Sequence, residues 1–289
     1  MTSFADARDR LRLLLFDAAE LGIFACTLPE ADNPAIAHAG AEVSVGVHIA
    51  GEGFATNARV HGWDVSFQEV LQVALARTPT TTLTGAGTIE LADEGQIAAL
   101  LLDPSRASDL DIVGDLTLLP LSPSRSIVLG ATDEEGFGHA LDVADELIRA
   151  GAPLASIHPL SFTDGVWTPL PWRERFPGLR TRIARVTREF GIRAYREQAK
   201  VLDESEVRVL DPRLEELDDG TVVTFATWLS GTAALLPVVD NVFLARPDGR
   251  LAVMRFADFV ARSDGAVRRT DLVPLRFFIP DSLAFDGNS

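Results

Sequence analysis

With a single cysteine, Cys26, the chain can form no intramolecular disulfide and no cysteine-rich zinc site. Cys26 ends the apolar run Ile23-Phe24-Ala25, so it reads as a buried structural thiol in a reducing compartment rather than a nucleophile. Lysine is almost missing: Lys200 stands alone and arginine carries the remaining cationic charge. No stretch reaches the roughly 18 uncharged apolar residues that a membrane helix needs. The N-terminus has no cationic segment ahead of an apolar run. A soluble, unprocessed, cytoplasmic protein is expected.

The usual marks of metal and cofactor sites are missing too. His38, His48, His61, His139 and His158 include no two at the i, i+2 or i, i+4 spacing that puts ligands on one face. The sequence has no Gly-Lys-Ser/Thr phosphate loop, no complete dinucleotide glycine pattern and no Gly-x-Ser-x-Gly elbow. No metal and no cofactor is expected. Asp103, Asp109, Asp111 and Asp115 form an acidic run that reads as a solvated loop rather than a magnesium site.

What the chain does have is apolar mass and negative charge. Its 289 residues are 47% hydrophobic, enough for a sizeable core. Against 26 basic residues stand 42 acidic ones, a formal charge of −16. Such a field repels phosphate backbones and anionic lipid. Nucleic acid and membranes are therefore poor partners, and another protein is the expected one, with a homo-oligomer left open.

Apolar spacing from Phe4 to Leu21, behind Ser3 as cap, predicts a first helix over residues 3–21. Residues 42–49 alternate as a half-buried strand does, with His48 facing solvent. Ser66 and Glu69 predict a capping box with the helix ending near Thr78-Pro79, and a second helical pattern runs through Ile97, Leu100 and Leu101. The stretch Leu118-Leu119-Pro120 to Gly130 reads as a turn and strand, followed by a helix from Asp133 to about Ala150. Thr132 with Glu135 forms its expected capping box and Gly151 its C-terminal stop. Thr163-Asp164-Gly165 predicts a hairpin.

Pro169 to Gly178 is read as a linker. Beyond it, one helix runs to Phe190 and another starts after Gly191. Strands are expected at 206–210, 221–229, 238–245 and 251–256, with a turn at Arg246-Pro247-Asp248-Gly249. Pro274 to Pro280 reads as an edge strand or strap. The fold class is α+β, with mixed or antiparallel sheets and helices packed on one face. Two subdomains are expected, 1–168 and 179–289, joined by 169–178.

Candidate chemistry is sparse. Ser124, with His139 or His158 as base, is the candidate nucleophile, though Pro123 before it fits turn geometry at least as well. Arg125 suits pairing with a carboxylate. Asp240, after a second Leu-Leu-Pro passage at Leu235-Leu236-Pro237, is its natural partner. Trp63 and Trp228 read as core, and Trp172 as an anchor for a partner protein.

Several passages together resemble the YtpQ-like family of bacterial proteins of unknown function. They are Gly62-Trp63 leading to Ser66, Pro123-Ser124-Arg125, Tyr195-Arg196-Glu197-Gln198, Thr227-Trp228 with Leu235 to Asp240, and Pro274 to Pro280. The family pattern has aspartate where this chain has Ser126, so no acidic role carries over there. The resemblance implies a soluble cytoplasmic α+β protein and imports no activity. The expected function is a non-enzymatic protein-binding or accessory role with an acidic surface. The alternative is a hydrolase with a polar site near Arg125 and Asp240.

Overall fold

A computed structural model of the chain describes residues 3–79, 82–202, 207–218, 220–246 and 249–285. It divides into two compact units, Met1–Val186 and Thr187–Ser289. Both combine helices with mostly antiparallel sheets, the α+β class expected.

The first unit opens with the short helix α1 (Phe4–Ala7), strand β1 (Leu11–Asp17) and helix α2 (Ala18–Thr27). A single helix over residues 3–21 is therefore incorrect. Leu11, Leu13 and Leu15 are buried, and β1 pairs antiparallel along its whole length with β3 (Val43–Ile49). In so short an apolar run both periods fit, and the sheet decides. Strands β2 (Ala37–Gly40) and β4 (Gly53–Phe54) flank β3. β3 is buried on both faces rather than one, because the Phe16 ring covers the face that carries Gly46.

Helix α3 (Asn57–Gly62) precedes α4 (Phe67–Arg77), whose Ser66–Glu69 capping box is formed as expected. β5 (Thr84–Ala86), β6 (Ile89–Leu91), α5 (Glu94–Leu102) and β7 (Asp109–Asp111) follow. β8 (Leu116–Ser122) and β9 (Arg125–Gly130) form the hairpin that carries the first Leu-Leu-Pro passage. With β6, β10 (Leu160–Thr163) and β11 (Val166–Pro169) they make a sheet ordered β11-β10-β8-β9-β6.

Helix α6 (Glu134–Ala150) is capped by Asp133, not Thr132. The Thr132 hydroxyl instead donates to the Val113 carbonyl at 2.7 Å. Gly151 adopts φ 70°, as a left-handed stop does. Residues 169–178, read as a linker, include the turn of helix α7 (Trp172–Arg175) and belong to the first unit. Leu170, Trp172 and Phe176 are buried there, and the two rings pack on Phe137. The unit boundary falls inside α8 (Arg180–Leu202), one continuous helix that runs through Gly191 where two were expected.

The second unit contains β12 (Arg208–Val209), β13 (Arg213–Glu216), β14 (Val222–Leu229), β15 (Ala234–Pro237), β16 (Asn241–Ala245), β17 (Leu251–Arg255), α9 (Phe256–Arg262), β18 (Arg268–Arg269) and β19 (Arg276–Ile279). They form two sheets, β12-β15-β19-β18 and β13-β14-β16-β17. Trp228 and Phe259 meet edge to face in a core that also holds Leu236, Val242 and Leu244. β19 lies between β15 and β18, so the tail strand is interior rather than an edge. Pro247 and Asp248 of the expected turn lie outside the described residues.

Candidate functional site

Side-chain alternation splits the β13-β14-β16-β17 sheet into two faces. Ala226, Trp228, Val242 and Leu244 point into the core of the unit. The register places Arg213, Phe225, Asn241 and Arg255 in one cross-strand row on the opposite face. The next rows are Thr227, Phe243 and Val253, then Leu229, Ala245 and Leu251. Leu251 is 68% exposed and Val253 59%, while Phe225 and Phe243 are half-buried. Those two rings meet edge to face with centroids 4.7 Å apart. The outer face is thus an apolar patch with an aromatic pair at its centre.

Its rim is cationic at both ends of the first row. Arg213 and Arg255 are exposed, and neither makes an ion pair among the described residues. β17 is also the end strand of its sheet. Phe256 N donates to Asp240 O at 3.1 Å and Arg246 N to Arg250 O at 2.9 Å. With that alternation, Leu251, Val253 and Arg255 turn their backbone N–H and C=O groups away from β16, toward the free edge. No glycine, proline or bulge interrupts the strand.

Asp240 sits at the start of β16, where the Thr224 amide donates to it at 2.7 Å and the Thr224 hydroxyl at 2.9 Å. The Arg188 fork completes its shell at 3.0 and 3.2 Å. Burial pushes this carboxyl up, but the bonds from Arg188 and Thr224 outweigh it and hold Asp240 below the usual carboxylate range. Its partner is an arginine, as expected, but Arg188 and not Arg125. Arg125 instead pairs with Glu90 at 2.5 Å and Glu146 at 2.9 Å. Each of the two candidates is thus satisfied within its own unit.

The other candidates are not assembled into a site either. Ser124 is exposed in the two-residue turn between β8 and β9, and His139 is exposed on α6. Among the described residues no hydrogen bond links Ser124, His139 and His158; His158 lies 3.9 Å from Glu42. Trp172 is only 4% exposed, so its ring serves the core rather than a surface. Cys26 is exposed on the last turn of α2, not buried. Of the acidic run, Asp103 meets Arg106 and Asp115 accepts from Thr163, and no metal-holding cluster occurs among the described residues.

One group of carboxylates escaped sequence reasoning because residues 3–21 read as one helix. Burial, then the charges of Asp17 and Glu94, push the Glu20 carboxyl up to about 7. Burial also raises Asp17 and Glu94. Asp17 accepts from the Glu20 amide and caps α2, while Glu94 accepts from the Leu15 amide at 3.0 Å. The partners of Asp17 and Glu94 are backbone amides, so both tie elements together. Compared with protein-family models, curated proteins and solved structures, the chain finds no match.

Proposed function

We propose that this is a non-enzymatic protein-binding or accessory protein, which docks a partner on the outer face of the β13-β14-β16-β17 sheet. The observation that carries the reading is the apolar patch of exposed Leu251 and Val253 with half-buried Phe225 and Phe243, between Arg213 and Arg255, which make no ion pair among the described residues. Aromatic centres and arginines dominate binding energy at protein interfaces, and continuous apolar surface of this kind marks interaction sites. Charge complementarity selects the occupant: an apolar segment of a second protein with carboxylates opposite the two arginines. The formal charge of −16 disfavours polyanions at long range. A bacterial cytoplasm, which a resemblance to YtpQ-like proteins would imply, is the setting proposed with this role. Nothing in the geometry around Arg125 or Asp240 favours the hydrolase reading, since both are held in structural ion pairs.

The test compares crosslinked complexes of the tagged chain with those of a Leu251→Glu/Val253→Glu variant in the native cell. Circular dichroism checks that the variant folds. A defined protein should crosslink to the sheet face and be lost with the variant. Equal crosslinking of both forms, or a face occupied only by a second copy of the chain, would overturn the proposal.

A further inference from the structure

A groove of about 580 Å³ opens on the first unit, lined by Arg8, Arg12, Gln72, Val73, Ala76 and Arg77. Local geometry builds it. Gln72, Val73, Ala76 and Arg77 fall at i, i+1, i+4 and i+5 of α4, which is one helix face. Opposite them, Arg8 opens the single 3-10 turn at residues 8–10, and Arg12 is the second residue of β1.

Three guanidiniums therefore line one concavity, in a chain with a large excess of acid. Two other arginines of the unit, Arg10 and Arg59, share the Glu52 carboxylate at 2.6 and 2.7 Å. In the groove, among the described residues, Arg77 alone meets a carboxylate, that of Asp9, whose side chain is 73% exposed. Arg77 also suits the C-terminal end of a helix dipole, so it has a structural reason to be there. Arg8 follows only the single turn of α1, whose dipole is small, and Arg12 lies on a strand. Arg12 donates to the Leu11 carbonyl at 2.7 Å and the Asp9 carbonyl at 3.4 Å, which positions its fork without neutralising it. Arg8 makes no ion pair among the described residues.

We propose that this groove is a binding site for a dianionic phosphoryl group. Three guanidiniums less the Asp9 carboxylate leave a local charge of two, and a phosphate monoester carries about −1.5 to −2 at neutral pH. Planar guanidinium forks match phosphate oxygens in pairs, which a carboxylate monoanion cannot exploit as fully. Val73 and Ala76 offer an apolar wall for the organic part of the ligand. The phosphoryl group comes either from a free phosphate monoester or from a phosphorylated side chain of a peptide. This site is independent of the sheet face.

Calorimetric titration of the full chain tests it, with phosphoserine, inorganic phosphate and acetate at constant ionic strength. Saturable binding of both phosphates is expected, weakened about tenfold or more by Arg8→Gln or Arg12→Gln. Arg182→Gln, at an exposed ion pair with Asp142 in the same unit, should leave it unchanged. Affinity should rise as pH passes about 6, where the second phosphate proton leaves. A phosphoserine peptide that binds at least tenfold tighter than phosphoserine assigns the ligand to a peptide, and equal binding assigns it to a free ester. No saturable phosphate binding, acetate binding as tight as phosphate, or affinity untouched by both groove variants would overturn the site.

Discussion

The guanidinium of Arg276 is fully buried and donates to the side-chain carbonyl of Gln198 at 2.6 Å, with no carboxylate among its hydrogen-bond partners in the described residues. Its other donors reach the carbonyls of Leu210 at 2.8 Å, Tyr195 at 3.0 Å and Leu235 at 3.3 Å, and the Tyr195 ring lies 5.0 Å away. Gln198 in turn donates to Pro274 at 2.8 Å, and the Tyr195 hydroxyl donates to Leu275 at 2.8 Å. One side chain thus joins α8, β15 and β19. Burial pushes its pKa down to about 10, so it stays charged at neutral pH.

Arg276→Lys should therefore destabilise the protein by about 2–4 kcal/mol, because an ammonium cannot reproduce the fork and leaves buried carbonyls unmet. Gln198→Leu should cost somewhat less. Urea unfolding of the full chain measures both. An Arg276→Lys variant as stable as the wild type would refute this account of the second unit.

Removing the Asp240 side chain takes one acceptor from the Thr224 amide and from the Arg188 fork, so Asp240→Ala should cost about 1–3 kcal/mol. The sign of the pH effect follows from the lowered carboxyl. Its contribution is present above the ordinary value of 3.8 and is lost as pH falls through the folded pKa. The stability gap between wild type and Asp240→Asn should be widest at neutral pH and close in acid. A gap that stays constant down to pH 2 would contradict it.

Glu20 should act in the opposite sense. Its folded carboxyl is raised from 4.5 to about 7, so its favourable contribution is full below 4.5 and is lost as pH rises through about 7. Glu20→Gln keeps the neutral shape, so its melting temperature should match the wild type near pH 4 and exceed it near pH 8. Equal melting at both pH values would mean that the carboxyl titrates normally.

Two glycines should respond oppositely to alanine. A Cβ at Gly46 would sit 2.4 Å from the Phe16 ring, inside a strand buried on both faces. Gly46→Ala should destabilise by about 1–3 kcal/mol. At Gly138, within α6, an added Cβ meets nothing within 4 Å. Gly138→Ala should stabilise by up to about 1 kcal/mol through helix propensity. Thermal melts of the two variants check the contrast, and shifts of the same sign would defeat it.

Legibility in the sequence followed the range of the interaction. The Ser66–Glu69 box, the Gly151 stop and the Thr163-Asp164-Gly165 hairpin involve neighbours a few residues apart, and all are formed. Leu11 to Asp17 is a strand because β3 supplies its partner some 30 positions away, which no local period reports. Trp172 shows the limit of composition: proline and arginine around it suggested a linker, while Phe137 on another element buries it. The sheet face was hidden for a related reason. The sequence pattern places Phe225, Phe243 and Val253 on strands, but only the register of β14, β16 and β17 puts them together between Arg213 and Arg255.

The sequence by itself determined the Ser66–Glu69 box and the Gly151 stop, the strongly acidic charge, the α+β class and the impossibility of an intramolecular disulfide. These depend on residue chemistry and on contacts within a few positions. Only the tertiary structure decided that Asp240 belongs to Arg188 and Arg125 to Glu90 and Glu146, and that the Arg276 strand is interior. Opposite charges attract without regard to chain distance, and an apolar strand suits an edge or a centre equally well by its own composition. Which pairing wins is set by register and packing between elements far apart in the chain, and that information exists only once the elements meet.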